Sequence, residues 1–236
     1  MSIAEKVTTI AENTPKVYNK GYEDGKQTEY DRFWDSIYEY IEQNNTERLF
    51  MGFAWNDTTF KPSRNIVVKP YGRWTFQYCG VKNLKACLDD RGIKIDFTDA
   101  LYLVNFFSYS GIEHIGEIDL STCVNAVAIS DIFTNMSKLV TIEKIKLGDN
   151  IRFYGMPFSQ DVKLQNITFE GELKESIGFA QSSLLTNASI QNIIDCLADL
   201  TDTDTQTFTV HADVYKKIIA NGWDALITAK NWTLVY

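Results

Sequence analysis

Apolar residues in the middle of the chain recur in a fixed pattern. From Phe133 they fall at Leu139, Ile142, Ile145 and Leu147, at offsets of 6, 9, 12 and 14. The same offsets run from Phe106 through Ile112, Ile115, Ile118 and Leu120, and a copy three residues shorter runs Phe158, Leu164, Ile167 and Phe169. The closing pairs, Ile118/Leu120, Ile145/Leu147 and Ile167/Phe169, alternate with polar neighbours, which is the period of a strand with one buried face. Each cassette is thus expected to carry one strand.

Along the chain, 23 residues separate Ile95 from Ile118, 27 separate Ile118 from Ile145 and 22 separate Ile145 from Ile167. One strand per period of this length is the spacing of a leucine-rich-repeat solenoid, whose units bury their apolar edges only by stacking on each other. The fold class predicted is α+β: a parallel-β leucine-rich-repeat solenoid with an N-terminal helical segment and a C-terminal α/β cap. In register, Ile118, Ile145 and Ile167 would be equivalent core positions.

The flanks read differently. Ser2 and Glu5 form a capping box, after which Ile3, Val7, Ile10, Thr14 and Val17 follow a 4-3-4-3 spacing suited to a coiled-coil seam. Pro15 interrupts it, and an isolated helix this short is marginal in water, so the stripe is expected to bind a partner, the alternative being a frayed monomeric tail. A second, aromatic stripe runs Tyr30, Phe33/Trp34, Ile37/Tyr38 and Ile41. Short strands are expected at 50–55, 65–69 and 73–78, a helix at 84–88 closed by Gly92, and a strand at 93–97. Beyond Leu185 a helical stripe takes over at Ile190, Ile193, Ile194, Leu197 and Leu200. A strand at 207–210, a helix around Val214–Ile219 ended by Gly222 and a strand at 231–236 follow. The domains predicted are 1–45, a helical attachment and oligomerisation segment; 46–185, the solenoid with its N-terminal cap; and 186–236, the α/β cap.

The unit of an aromatic, five residues, an aliphatic, two residues and a strand pair resembles the bacterial surface-antigen (BspA-like) type of leucine-rich repeat. The opening Ser2–Asn13, the stretch Lys16–Asp35, the segment Ala54–Pro62 and the ending from Leu185 to Thr201 and Asn231 to Leu234 are similar to leucine-rich-repeat proteins encoded in phage and prophage structural regions of gut Firmicutes. That resemblance implies a virion structural protein, a head or tail fibre or a surface-decorating component. Its implied partners are other virion proteins through the N-terminal helix, further copies of itself as a dimer or trimer, and a host surface protein or glycan. A bacterial cell-surface adhesin is the alternative.

Composition narrows the chemistry. The chain has 236 residues, 44% of them hydrophobic, enough for a sizeable core. With 31 acidic against 23 basic residues and no Lys/Arg cluster, it lacks a nucleic-acid footprint. No stretch approaches the roughly 18 apolar residues of a membrane span, and the opening residues lack the apolar core of a secretory signal. Cys79, Cys87, Cys123 and Cys196 are scattered without a C-x-x-C pair, so buried thiols are expected rather than a zinc site. The sequence shows no G-x-S-x-G, P-loop, H-E-x-x-H or G-x-G-x-x-G motif, and only His114 and His211 are available as imidazoles. No catalytic residue, metal site or cofactor is predicted. Asp202 and Asp204 are read as a solvated linker, since the glycine and glutamate of a calcium loop are missing.

If the strands stack in register, Asp96, Asp119, Lys146 and Thr168 form one outward column, and Lys94, Glu117, Lys144 and Asn166 another. Cross-strand pairs of opposite charge support the sheet and its solubility. The functional reading is a binding surface built of Asp96, Glu117, Asp119, Lys144, Lys146 and Thr168, with Tyr109 and Tyr154 exposed on the turns. Ile3, Val7, Ile10 and Val17 are the oligomerisation residues expected.

Overall fold

The computed structural model describes residues 75–125 and 127–236, together with 57, 60, 62, 64–68 and 70–73. The seam of Ile3, Val7, Ile10 and Val17, the aromatic stripe of Tyr30–Ile41 and the strand expected at 50–55 lie outside the described residues. In chain order the strands are β1 (Ile66–Val67), β2 (Ile95–Asp96), β3 (Tyr102–Val104), β4 (His114–Asp119), β5 (Val127–Ser130) and β6 (Thr141–Lys146). They continue with β7 (Ile151–Tyr154), β8 (Asn166–Glu170), β9 (Ile177–Phe179), β10 (Gln206–Val210) and β11 (Trp232–Val235). The helices are α1 (Leu84–Cys87), α2 (Asn187–Cys196), α3 (Ala212–Ala220) and α4 (Asp224–Ala229).

The fold is mixed α/β with small parallel sheets, and the leucine-rich-repeat solenoid expected from the spacing is not what the chain forms. Among the described residues four sheets, β1-β2, β4-β6-β8, β3-β5-β7 and β11-β10-β9, replace the single stack, and none of these exceeds three strands. The cassettes hold two strands, not one. The second runs, Val127/Ile129 and Ile151/Phe153, bury alternate residues as the first runs do. The chain thus feeds two sheets in alternation, β3, β5 and β7 in one and β4, β6 and β8 in the other.

Sheet β4-β6-β8 stops because side chains take its edge hydrogen bonds. On β8, the Ile167 N–H donates to Ser189 Oγ at 2.9 Å and the Phe169 N–H to Asn192 Oδ1 at 2.6 Å, so α2 occupies the place of a fourth strand. Asn192 Nδ2 returns a bond to the Phe169 carbonyl at 3.1 Å. On β4, the Glu117 N–H donates to Asp89 Oδ2 at 2.8 Å. That approach requires Gly116, where a Cβ would lie 1.6 Å from the Asp89 carboxylate. Edges closed in this way offer no template for another strand.

Register departs from expectation in a second respect. Ile118 pairs with Ile145 as anticipated, but Ile145 pairs with Phe169, and Ile167 pairs with Ile142. β6 carries one residue more than β8 between these inward positions, and a β-bulge absorbs it.

A column of stacked phenylalanines runs through the core: Phe76–Phe107, Phe107–Phe133, Phe133–Phe158 and Phe158–Phe179, with ring centroids 5.3, 5.5, 5.1 and 4.5 Å apart. Such pairs add about 0.5–1.5 kcal/mol each beyond their burial. Phe107, not Phe106, is therefore the counterpart of Phe133. The strand expected at 73–78 is instead a turn that delivers Phe76 to this column, with Tyr78 at φ 59. Three residues after each ring, Cys79, Ser110, Met136, Asp161 and Ser182 form a second buried column.

The remaining elements follow local chemistry. Asn83 caps α1 by accepting the Ala86 N–H, and Gly92 ends the following turn at φ 72. Thr186 caps α2, which buries Ile190, Ile193 and Ile194 as the apolar stripe predicted. β9 joins β10 and β11, so one sheet crosses the line drawn at 185/186. α4 was not anticipated.

Candidate binding surfaces

Two outward faces carry the side chains of interest. On β4-β6-β8, Glu117 pairs in register with Lys144 and Asp119 with Lys146. Ion pairs form both directly across and on the diagonal: Lys146 Nζ lies 3.9 Å from Asp119, its register partner, and 3.0 Å from Glu117 Oε1, while Lys144 Nζ lies 3.0 Å from Glu170. The hydrogen bond to the Glu117 carboxylate holds the Lys146 pKa above its ordinary value. Glu170, not Thr168, stands opposite Lys146, and Asn166 stands opposite Thr141, not Lys144. Asp96 is in another sheet, beside Val67, where its carboxylate accepts the Thr98 N–H. Of the predicted charged set, the structure therefore brings together Glu117, Asp119, Lys144 and Lys146, and adds Glu170. Both lysines are already engaged by carboxylates of the same face.

Beside this ladder a cleft of about 280 Å³ is lined by Asp89, Ile93, Lys94, Glu117, Asp119 and Glu143, among others. Burial raises the Asp89 pKa, an effect opposed by its bond from the Glu117 N–H. Among the described residues no cluster of His, Cys, Asp and Glu is arranged to hold a metal ion. The buried thiols behave as small core groups, with Cys79 pushed up to about 12 and Cys123 to about 11 by burial.

The second face belongs to β3-β5-β7. Tyr102 aligns with Ala128 and Ala128 with Arg152; Val104 aligns with Ser130 and Ser130 with Tyr154. These six alternate with the buried Leu103, Ile129 and Phe153 and so point outward. Tyr102 is 42% exposed and Tyr154 57%. Tyr71 extends the aromatic row, stacked on Tyr102 with centroids 5.5 Å apart and planes 4° apart. A groove of about 170 Å³ lies between Tyr102, Ala128, Arg152 and Tyr154. A second groove of the same volume, lined by Met156, Ser176, Gly178, Gln181, Thr207 and Thr209, adjoins the end of β7. Lys174–Asp149 at 2.8 Å and Arg152–Glu175 at 3.4 Å tie the segment before β9 to β7. The Lys174 bond holds the Asp149 carboxyl below its ordinary range.

Tyr109, predicted on a turn, is there, at φ 57 and with its ring centroid 5.6 Å from Tyr78. Two bulky aromatics held in the left-handed region are strained, at about 1–3 kcal/mol each. Tyr154 is on β7 rather than a turn. Tyr71, Tyr102 and Arg152 were missed by the sequence reading. Their signal was the alternation of Tyr102, Val127/Ile129 and Ile151/Phe153, which marks the second strand of each cassette.

No protein-family model, curated protein or solved structure matches this chain. Among the described residues no helix is long and apolar enough to cross a membrane.

Proposed function

We propose that this chain is a non-enzymatic binding protein that meets its partner on the outer face of β3-β5-β7. The observation that carries this reading is a patch of exposed aromatics on one sheet face, Tyr71 stacked on Tyr102 at one side and Tyr154 at the other, with the half-exposed Arg152 on the strand of Tyr154. Single exposed apolar residues are ordinary on protein surfaces, but aromatics and arginine gathered on one patch are the composition of binding hot spots. The charged face of β4-β6-β8 is the weaker candidate, because a partner there would have to displace ion pairs the fold already makes.

The setting proposed is a virion, where the chain serves as a head or tail fibre or as surface decoration and contacts the host. Residues 1–45 attach it to other virion proteins and to copies of itself. The support is the sequence resemblance of the Lys16–Asp35 and Leu185–Thr201 segments to phage structural-region proteins. Mass spectrometry of particles induced from the encoding bacterium tests this directly. Recovery of the chain from purified particles is expected, and its recovery from the cell envelope alone would overturn the setting. Adsorption of labelled full-length protein to bacterial cells tests the binding role, with loss expected on Tyr102→Ala.

A further inference from the structure

The groove on β3-β5-β7 has a chemistry that narrows the ligand. Its floor is small, Ala128 with flanking Val127 and Leu101, and its flanks are Tyr102, Tyr154 and Arg152. An aromatic face carries a negative quadrupole, which attracts the weakly positive C–H face of a pyranose ring. Arg152 Nη1 is fixed by the carbonyls of Asp149 and Ile151 at 2.9 and 2.8 Å, and Nε faces Glu175 at 3.4 Å. With Nη1 and Nε held in this way, the Nη2 amino group of Arg152 is left to donate to a ligand hydroxyl, and Glu175 balances the charge of the guanidinium. The adjoining groove, lined by Met156, Ile177, Gly178, Ala180, Thr207 and Thr209, is mainly apolar. A formal net charge of −8 disfavours an anionic ligand. The apolar floor, Leu101, Val127 and Ala128, is narrow beside the broad apolar centre of a protein interface.

From this geometry we infer that the Tyr102–Arg152–Tyr154 groove binds an uncharged hexopyranose unit of a glycan chain. The inference rests on the binding role proposed above and assigns its ligand class. Tyr102 and Tyr154 supply the stacking faces, and Arg152 Nη2 orients a hydroxyl.

The test is saturation-transfer NMR on the full chain with the methyl glycosides of glucose, galactose, mannose and N-acetylglucosamine, and with glucuronate as the anionic probe. Circular dichroism verifies that each variant is folded. Transfer to the ring protons of at least one neutral glycoside is expected, with the dissociation constant rising roughly tenfold for Tyr102→Ala. Arg152→Gln should weaken binding comparably, and Tyr78→Ala, outside the groove, should not. No transfer from any neutral glycoside, transfer from glucuronate alone, or binding indifferent to Tyr102→Ala and Arg152→Gln overturns the inference. Cell adsorption separates the two claims. If the protein adsorbs through Tyr102 but adsorption is abolished by protease treatment of the cells, the ligand is a protein: the glycan inference fails and the binding role stands. If adsorption itself ignores Tyr102→Ala, the binding face is wrong and both fail.

Discussion

Asp161 is the residue whose replacement most sharply tests this account of the core. It is fully buried in the column that follows the phenylalanines, and its Oδ1 accepts the Met136 N–H at 2.9 Å. Its Oδ2 has no partner. Burial is the dominant influence and moves the carboxyl from 3.8 up to about 8, against the opposing bond from Met136. The folded protein therefore keeps this proton across an interval in which the unfolded chain has lost it. Stability is fully present below about pH 4, falls as pH rises, and is lost by the time the folded pKa of about 8 is passed. At about 1.4 kcal/mol per pH unit the whole interval corresponds to an effect on the order of 5 kcal/mol, an upper bound because water reaching the loop would relieve it. Asp161→Asn keeps an oxygen for the Met136 N–H and cannot ionise. Melting followed by circular dichroism from about pH 4.5 to 8.5 is the assay. The variant should match wild type at the acid end and exceed it increasingly as pH rises. Other acids titrate in both proteins and cancel in the difference. Parallel curves, or a variant less stable at the alkaline end, would refute the idea that a neutral carboxyl occupies this site.

Three further outcomes follow from the packing. Ile145, 1% exposed between Ile118 and Phe169, should not tolerate Asp, because an unpaired buried charge costs on the order of several kcal/mol; urea unfolding measures it, and a midpoint close to wild type would mean the register is wrong. Asn192→Ala should cost about 1–3 kcal/mol by leaving the Phe169 N–H without its partner and its carbonyl with the Cys196 thiol alone, and hydrogen exchange should speed up at Phe169 before it does at Ile145. If residues 1–45 serve the attachment role proposed for them, a chain starting at Thr46 should keep its circular-dichroism spectrum but lose oligomeric mass by light scattering; an unchanged oligomeric state, or failure to fold, would show that the attachment role is misplaced.

How much of this was legible in the chain depends on the range of the forces involved. Apolar alternation is local, and it located β4, β6 and β8, the α2 stripe of Ile190, Ile193 and Ile194, and the strands at 207–210 and 231–236. Turn chemistry is local too, and Gly92 and Gly222 both take the positive φ expected of helix-ending glycines. The second strands were present as the alternations of Val127/Ile129 and Ile151/Phe153, but they are short and sit beside turns, so the stronger period of the cassette masked them.

The candidate binding face was less legible. Tyr102 and Tyr154 are 52 residues apart, and nothing in their own neighbourhoods says that two intervening registers bring them to one groove.

The sequence by itself determined where apolar faces must be buried, which segments take strand or helix periods, and that the surface is acidic. Tertiary structure alone decided how those segments were partitioned among sheets. A three-stranded sheet ends or continues according to which groups reach its edge amides, and here Asp89 closes β4 while Ser189 and Asn192 close β8. Those contacts join residues 20 to 30 positions apart, and the one from Asp89 depends on the absence of a Cβ at Gly116. Periodicity measures which side of a strand is apolar; it carries no information about which atom will satisfy the strand's free edge, because that bond is made between segments only after both have been placed.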